Sequence, residues 1–375
     1  MSVPARRPAS DGEVAGLRRT LLLLLAPAMV LGLGSGLARI LPSLGCSALL
    51  AVDHGALLVM GVFGSVIAVE RATALESEKV WPLCVPAASI AGAWLLVFGS
   101  ALAPPMFLLG SVGLATLDAV LLRRQCTTPA WVMLLASVAL SVSAGLRLVD
   151  PSRDVTPLWL AFFVGTILAE RLELSRLAPR PRWAEPLLIA LLGVQLAAAA
   201  AAACGVALAR LVVGTTFLLA ATWSARFDIA TRLAPRGTGL PRFAAWGVLL
   251  ALVWLGVSGA VMVVTVALEV AGAGPLAHGR DAYLHALLVG FVLSMVLAHA
   301  LLILPAVARI GLRFSAVLYV PLAMLHASVA LRVAADLVSS PALKASGGVG
   351  HALALATFVV CVVLSQRKRT PEGLG

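Results

Sequence analysis

The chain has 375 residues, of which 61% are hydrophobic and 12% charged, against about a quarter charged in a soluble domain. With a mean hydropathy of +1.02, that balance excludes a sizeable soluble domain, and the solid, non-alternating apolar runs exclude a transmembrane barrel. The formal net charge of +11 collects in short loops, where it reads as membrane orientation and not as nucleic-acid binding.

In chain order, a polar cytoplasmic tail is expected over residues 1–19, a polytopic domain of about twelve transmembrane helices over 20–365, and a second cytoplasmic tail over 366–375. The absence of a small-residue cleavage site after the first apolar run makes that run an uncleaved span. The spans are expected near 20–41, 47–70, 80–101, 104–122, 129–148, 156–174, 184–206, 208–226, 243–269, 282–304, 314–336 and 347–365. Pro42, Pro104, Pro105, Pro157 and Pro341 mark breaks between them. One set of loops carries Arg123, Arg124, Arg176, Arg180, Arg182, Arg232, Arg236, Arg242, Arg309 and Arg313, whereas the alternate loops carry fewer basic residues. The positive-inside rule then puts both termini in the cytoplasm of a multi-pass protein of a bacterial inner membrane.

A faint internal echo links the second, sixth and tenth spans. Glu70-Arg71 closes the second and Glu170-Arg171 the sixth, and Val289-Gly290 in the tenth parallels Val164-Gly165 in the sixth. Spans four apart in register are what three four-helix units in a pseudo-threefold bundle produce, although small-residue packing patterns also recur by chance. The five cysteines are scattered, form no CxxC pair and read as buried free thiols.

Five of the six histidines lie in apolar runs: His54, His285, His299, His326 and His351. An ionisable group in hydrocarbon normally faces the bundle interior and a partner, and imidazole is a common ligand for haem iron and copper. At 1.5 Å per residue, His54 is expected about 10 Å deep, His285 about 5 Å deep, and His326 and His351 in the same outer half. His299 lies about 21 Å below His285, which excludes it from the same metal. The metal candidates are therefore His54, His285, His326 and His351. Gly61 and Gly64 make room for a macrocycle or a neighbouring helix. Arg39, Arg147 and Arg332 end their helices on the outer side, where arginine pairs with propionates or snorkels.

The stretch His-Gly-Ala-Leu-Leu-Val-Met-Gly-Val-Phe-Gly from His54, and Leu-His-Ala-Leu-Leu-Val-Gly-Phe-Val-Leu-Ser-Met around His285, resemble the NnrS family of haem- and copper-containing membrane proteins. More distantly, they resemble the catalytic subunit of haem–copper oxidases. The resemblance implies a twelve-helix bundle with His54 and His285 as axial ligands of a haem b, copper as a further metal, and Arg39 and Arg332 at the cofactor. It also implies a role in nitrogen-oxide stress or in metal and haem handling beside a respiratory-chain component. The match departs at the sixth and seventh spans, which lack histidine, and at Val52 and Gly55, where a Trp-His-x-His pattern is expected. An oxidase-type dinuclear centre is therefore not expected. Two other classes fit the same spans: a proton-coupled small-molecule transporter, for which Asp118 is the natural carboxylate, and an assembly factor for a respiratory complex.

Overall fold

The structure is a computed structural model that describes residues 11–41, 53–75, 80–176, 178–274 and 276–366. Among them it is all-helical, apart from one isolated antiparallel bridge between Leu312 and Gln366. The helices are α1 (Asp11–Ala38), α2 (His54–Ala74), α3 (Trp81–Val97), α4 (Ala103–Arg124), α5 (Thr128–Val149), α6 (Thr156–Leu174), α7 (Ala184–Ala203), α8 (Ala207–Phe227), the short α9 (Ala230–Arg236), α10 (Gly239–Val270), α11 (Gly279–Ala308), α12 (Ala316–Leu337) and α13 (Pro341–Leu364). Ten of the described helices are long and apolar enough to cross a membrane. Two more expected spans correspond to α3, which is shorter, and to α6, whose end carries Glu170, Arg171 and Glu173. The all-α membrane architecture expected from composition is the one observed. Large side chains such as Leu23, Val30, Val253, Val359 and Val363 are exposed on the helices, as lipid-facing surface requires.

Several helix starts differ from the hydropathy reading, for local reasons. Helix α1 begins at Asp11, nine residues early, with Glu13 in a first turn that favours negative charge. Helix α13 begins at Pro341, a residue suited to the first helical position. Helix α2 begins at His54 because Asp53 caps it: Oδ1 of Asp53 accepts from the Ala56 amide at 3.1 Å. The expected start of that span at 47 lies outside the described residues. His54 is thus at a helix mouth and not two turns inside, whereas His351 sits about 15 Å along α13.

The chain divides into two compact units, not three: residues 1–173 with 199–205, and residues 174–198 with 206–375. In the first, α6 has the largest share of buried residues and α1 is peripheral, and α4 packs between α3 and α5. In the second, the closest-packed pairs are α8 with α10 and α12 with α13. Each unit contains one helix with a stretch of wide, π-helical turns: Leu57–Phe63 in α2 and Ala286–Leu293 in α11. Both follow within a few residues of a histidine. Such turns are rare and concentrate at functional sites.

The glycines of these stretches are filled by helices and not by an open gap. A Cβ on Gly61 would lie 2.8 Å from Ala93, and one on Gly290 would lie 2.4 Å from Trp254. Of the two readings of Gly61, close helix approach is the one observed. Among the described cysteines, Cys84, Cys126 and Cys204 are free but exposed, contrary to the expected burial; Cys361 is free and buried. Cys126 and Cys204 lie in the short turns after α4 and α7, and Cys84 in the first turn of α3, positions that composition alone does not reveal.

Candidate functional site

In the second unit, α11, α12 and α13 bring two of the predicted histidines together. The rings of His285 and His351 lie with centroids 6.3 Å apart and planes inclined by 20°. The close approach of α12 and α13 follows from small residues: Gly347 packs on the Arg332 backbone and Gly350 on Ser328, where an added Cβ would come within 2.9 and 2.7 Å.

The hydrogen bonds fix both tautomers. A carbonyl can only accept, so Nδ1–H of His285 donates to the Asp281 carbonyl at 2.7 Å. Ser328 spends its single hydroxyl proton on the Leu325 carbonyl at 2.7 Å, so Nδ1–H of His351 donates to Ser328 Oγ at 2.8 Å. Both rings therefore carry a bare lone pair on Nε2. For His351 that atom is buried and has no partner, a costly arrangement in a dry interior unless it serves a ligand.

Arg332 exerts an electrostatic interaction on both imidazoles. Its Nε is held by Asp336 Oδ2 at 3.0 Å, while Asp336 Oδ1 takes Lys344 Nζ at 3.1 Å; all three side chains are buried. The group carries one more positive than negative charge. Nη1 and Nη2 of Arg332 have no protein partner in the structure. Asp336 and Lys344 were not singled out by sequence. The signal was present in the i, i+4 spacing of Arg332 and Asp336, which places them on one face of α12.

His326, a third predicted ligand, has both nitrogens engaged. Trp254 Nε1–H donates to His326 Nδ1 at 2.9 Å, His326 Nε2–H donates to Ser294 Oγ at 3.2 Å, and Ser294 donates to the Gly247 carbonyl at 3.0 Å. In this arrangement it offers no lone pair to a metal. His299 Nδ1–H donates to the Met295 carbonyl one turn earlier, at 2.8 Å. Among the described residues no three His, Cys, Asp or Glu side chains gather as a metal-ion cage.

In the first unit, His54 is bonded to a predicted partner. Arg39 Nη1 donates to His54 Nδ1 at 3.0 Å, which leaves the ring proton of the neutral imidazole on Nε2, the opposite tautomer to His285 and His351. Arg147 pairs with Asp53 at 2.7 Å and lies 5.5 Å from the centre of the Trp159 ring, whose Nε1–H donates to Ser143 Oγ at 3.1 Å. Arg39 thus bonds His54 itself, whereas Asp53, its chain neighbour, caps the helix and pairs with Arg147. His54 and His285 belong to different units.

The first unit also holds a buried ion cluster. Arg71 Nε meets Asp118 Oδ1 at 3.2 Å and Arg71 Nη2 meets Glu170 Oε1 at 2.5 Å. Ser137 Oγ donates to the other oxygen of Asp118. The Glu-Arg echo of the second and sixth spans is therefore a physical contact between α2 and α6.

Residues 18–367 match the model of a family described as a domain of unknown function, DUF8744. No curated protein matches the chain.

Proposed function

The chain belongs to the DUF8744 family, and we propose that it is an integral membrane haem-binding protein, with copper as the alternative metal, whose ligands are His285 and His351. The observation that carries this reading is the bare, buried Nε2 of His351 beside a second imidazole of the same tautomer. A metal bound end-on by two imidazoles at about 2 Å each holds the ring centroids about 6 Å apart, which the observed 6.3 Å fits. The second-shell bonds from Asp281 and Ser328 orient the rings, as they do for metal-bound histidine.

The charges beside the rings favour haem over a bare ion. A free cation would sit near a net positive group, whereas a haem propionate would meet the unengaged Nη1 and Nη2 of Arg332. His285 and His351 would hold such a group through Nε2, Ser328 and the Asp281 carbonyl fix their ring protons, and Arg332 would take a carboxylate. A bound haem would supply one-electron chemistry, suited to electron transfer or sensing.

The same reading takes in the NnrS-like resemblance around His54 and His285 and a role in nitrogen-oxide stress or in haem and metal handling near respiratory enzymes. An inner-membrane location with both termini cytoplasmic is the orientation that the arginine-rich loops favour. Trp131, Trp183 and Trp246 are exposed and fall within about two turns of helix ends that adjoin those loops, as residues of a membrane interface do.

The test is a pyridine-haemochrome and metal assay on full-length protein made with added haem. About one haem per chain is expected, lost in both His285→Ala and His351→Ala and kept in His54→Ala. A wild-type protein with neither a Soret band nor bound copper would overturn the proposal.

A further inference from the structure

The ion cluster of the first unit points to a second binding site, for a proton, independent of any metal in the second unit. Its charged members come from three helices. Glu70 and Arg71 close α2, Asp118 lies three-quarters along α4, and Glu170 lies near the end of α6. Asp118 and Arg71 are only 3% and 7% exposed. Glu70 interacts electrostatically with Glu170, Asp118 and Arg71, so the three carboxylates act on one another. Ionised, Glu70, Asp118 and Glu170 carry three negative charges around the guanidinium of Arg71.

Negative charge is therefore in excess at a site whose Asp118 and Arg71 are buried. A buried uncompensated charge is among the costliest arrangements a protein can hold, and in practice such a group takes a proton instead. A second observation lies on α6. Thr166 is 3% exposed and its Oγ1 has no hydrogen-bond partner. It sits four residues before Glu170, which puts both on one face of the helix. Glu170 reaches Arg71 from that face, so it is the face of α6 turned to the cluster. An unpartnered hydroxyl beside a carboxyl is placed to bond the neutral acid or a water that carries its proton. The Glu170 side chain is 30% exposed, which gives the cluster an edge open to exchange.

We propose that Glu70, Asp118 and Glu170 together bind one exchangeable proton, taken up and released at the Glu170 edge. Arg71 is the fixed counter-charge that holds two of the carboxylates around it. On uptake an oxygen–hydrogen bond forms on one carboxylate and the cluster loses one negative charge; on release the proton passes to water.

The experiment is infrared difference spectroscopy of full-length protein in nanodiscs, titrated with acid and base in H₂O and D₂O. Wild type is expected to show a carbonyl band of a neutral carboxylic acid that shifts in D₂O and disappears on alkalinisation. Asp118→Asn, Glu70→Gln and Glu170→Gln each remove one negative charge and are expected to abolish it. Glu170 is part-exposed, so E170Q serves if D118N does not fold. Loss of the band in any variant that purifies as a monodisperse protein supports the site. A wild type without the band, or a band that persists in every folded variant, overturns it. A purely structural ion-pair cluster predicts the latter result.

Discussion

The indole N–H of Trp254 donates to Nδ1 of His326 across 2.9 Å, and that bond sets the direction of every proton behind it. With Nδ1 accepting, Nε2 must donate to Ser294, which in turn donates to the Gly247 carbonyl. His326 is thereby a link between α10, α11 and α12, at the end of the wide turns of α11.

His326→Ala should therefore act on stability. It leaves the Trp254 donor without its acceptor, a loss of about 1–3 kcal/mol. Thermal unfolding in detergent should show the drop, while haem content stays at the wild-type level. Loss of haem with unchanged stability would instead make His326 a ligand.

Ser328→Ala removes the acceptor that fixes the proton of His351 on Nδ1. Loss of such an orienting partner typically costs about 10- to 100-fold in metal affinity. Haem titration of the variant should reveal weaker binding, with the bis-imidazole spectrum retained at saturation.

Glycine substitutions separate the crowded positions from the open ones. Gly290→Ala drives a methyl into Trp254, and Gly347→Ala into the Arg332 backbone, so each should lose about 1–3 kcal/mol. Gly193→Ala meets nothing within 4 Å and should gain about 0.5–1 kcal/mol from helix propensity. Melting temperatures of the three variants, compared side by side, provide the check.

Arg71→Ala strips the counter-charge from Asp118 and Glu170. Breaking a buried pair on one side costs about 3–5 kcal/mol. The variant should express poorly or melt well below wild type, and Asp118→Asn in the same background should restore part of the loss.

Hydropathy and arginine placement made the membrane class and most helix positions readable from sequence, because bilayer thickness and backbone bonding leave few alternatives. The capped start of a helix at His54 was not legible, because an apolar run spans Asp53 and only the cap geometry marks it. His285 and His351 were both legible as candidates, yet their pairing was not. It depends on how closely α12 and α13 approach, which Gly347 and Gly350 permit but do not announce. His54 looked like the natural partner of His285 through shared neighbours in sequence; its bond to Arg39 depends on the fold of the first unit. Asp118 was noticed alone, and the Glu-Arg echo was read as a repeat. That the echo joins Arg71 to Glu170 follows only from the packing of α2 on α6.

The wide turns in α2 and α11 are, in effect, extra residues absorbed without a loop. Deleting one residue within Leu57–Phe63 would return the strip to ordinary winding and leave its two ends facing close to where they face now, because the surplus residue is what the wide turns take up. His54 would keep Arg39, and Arg71 would keep Asp118. A deletion elsewhere in α2, with no slack to draw on, would instead turn one end against the other by about 100°.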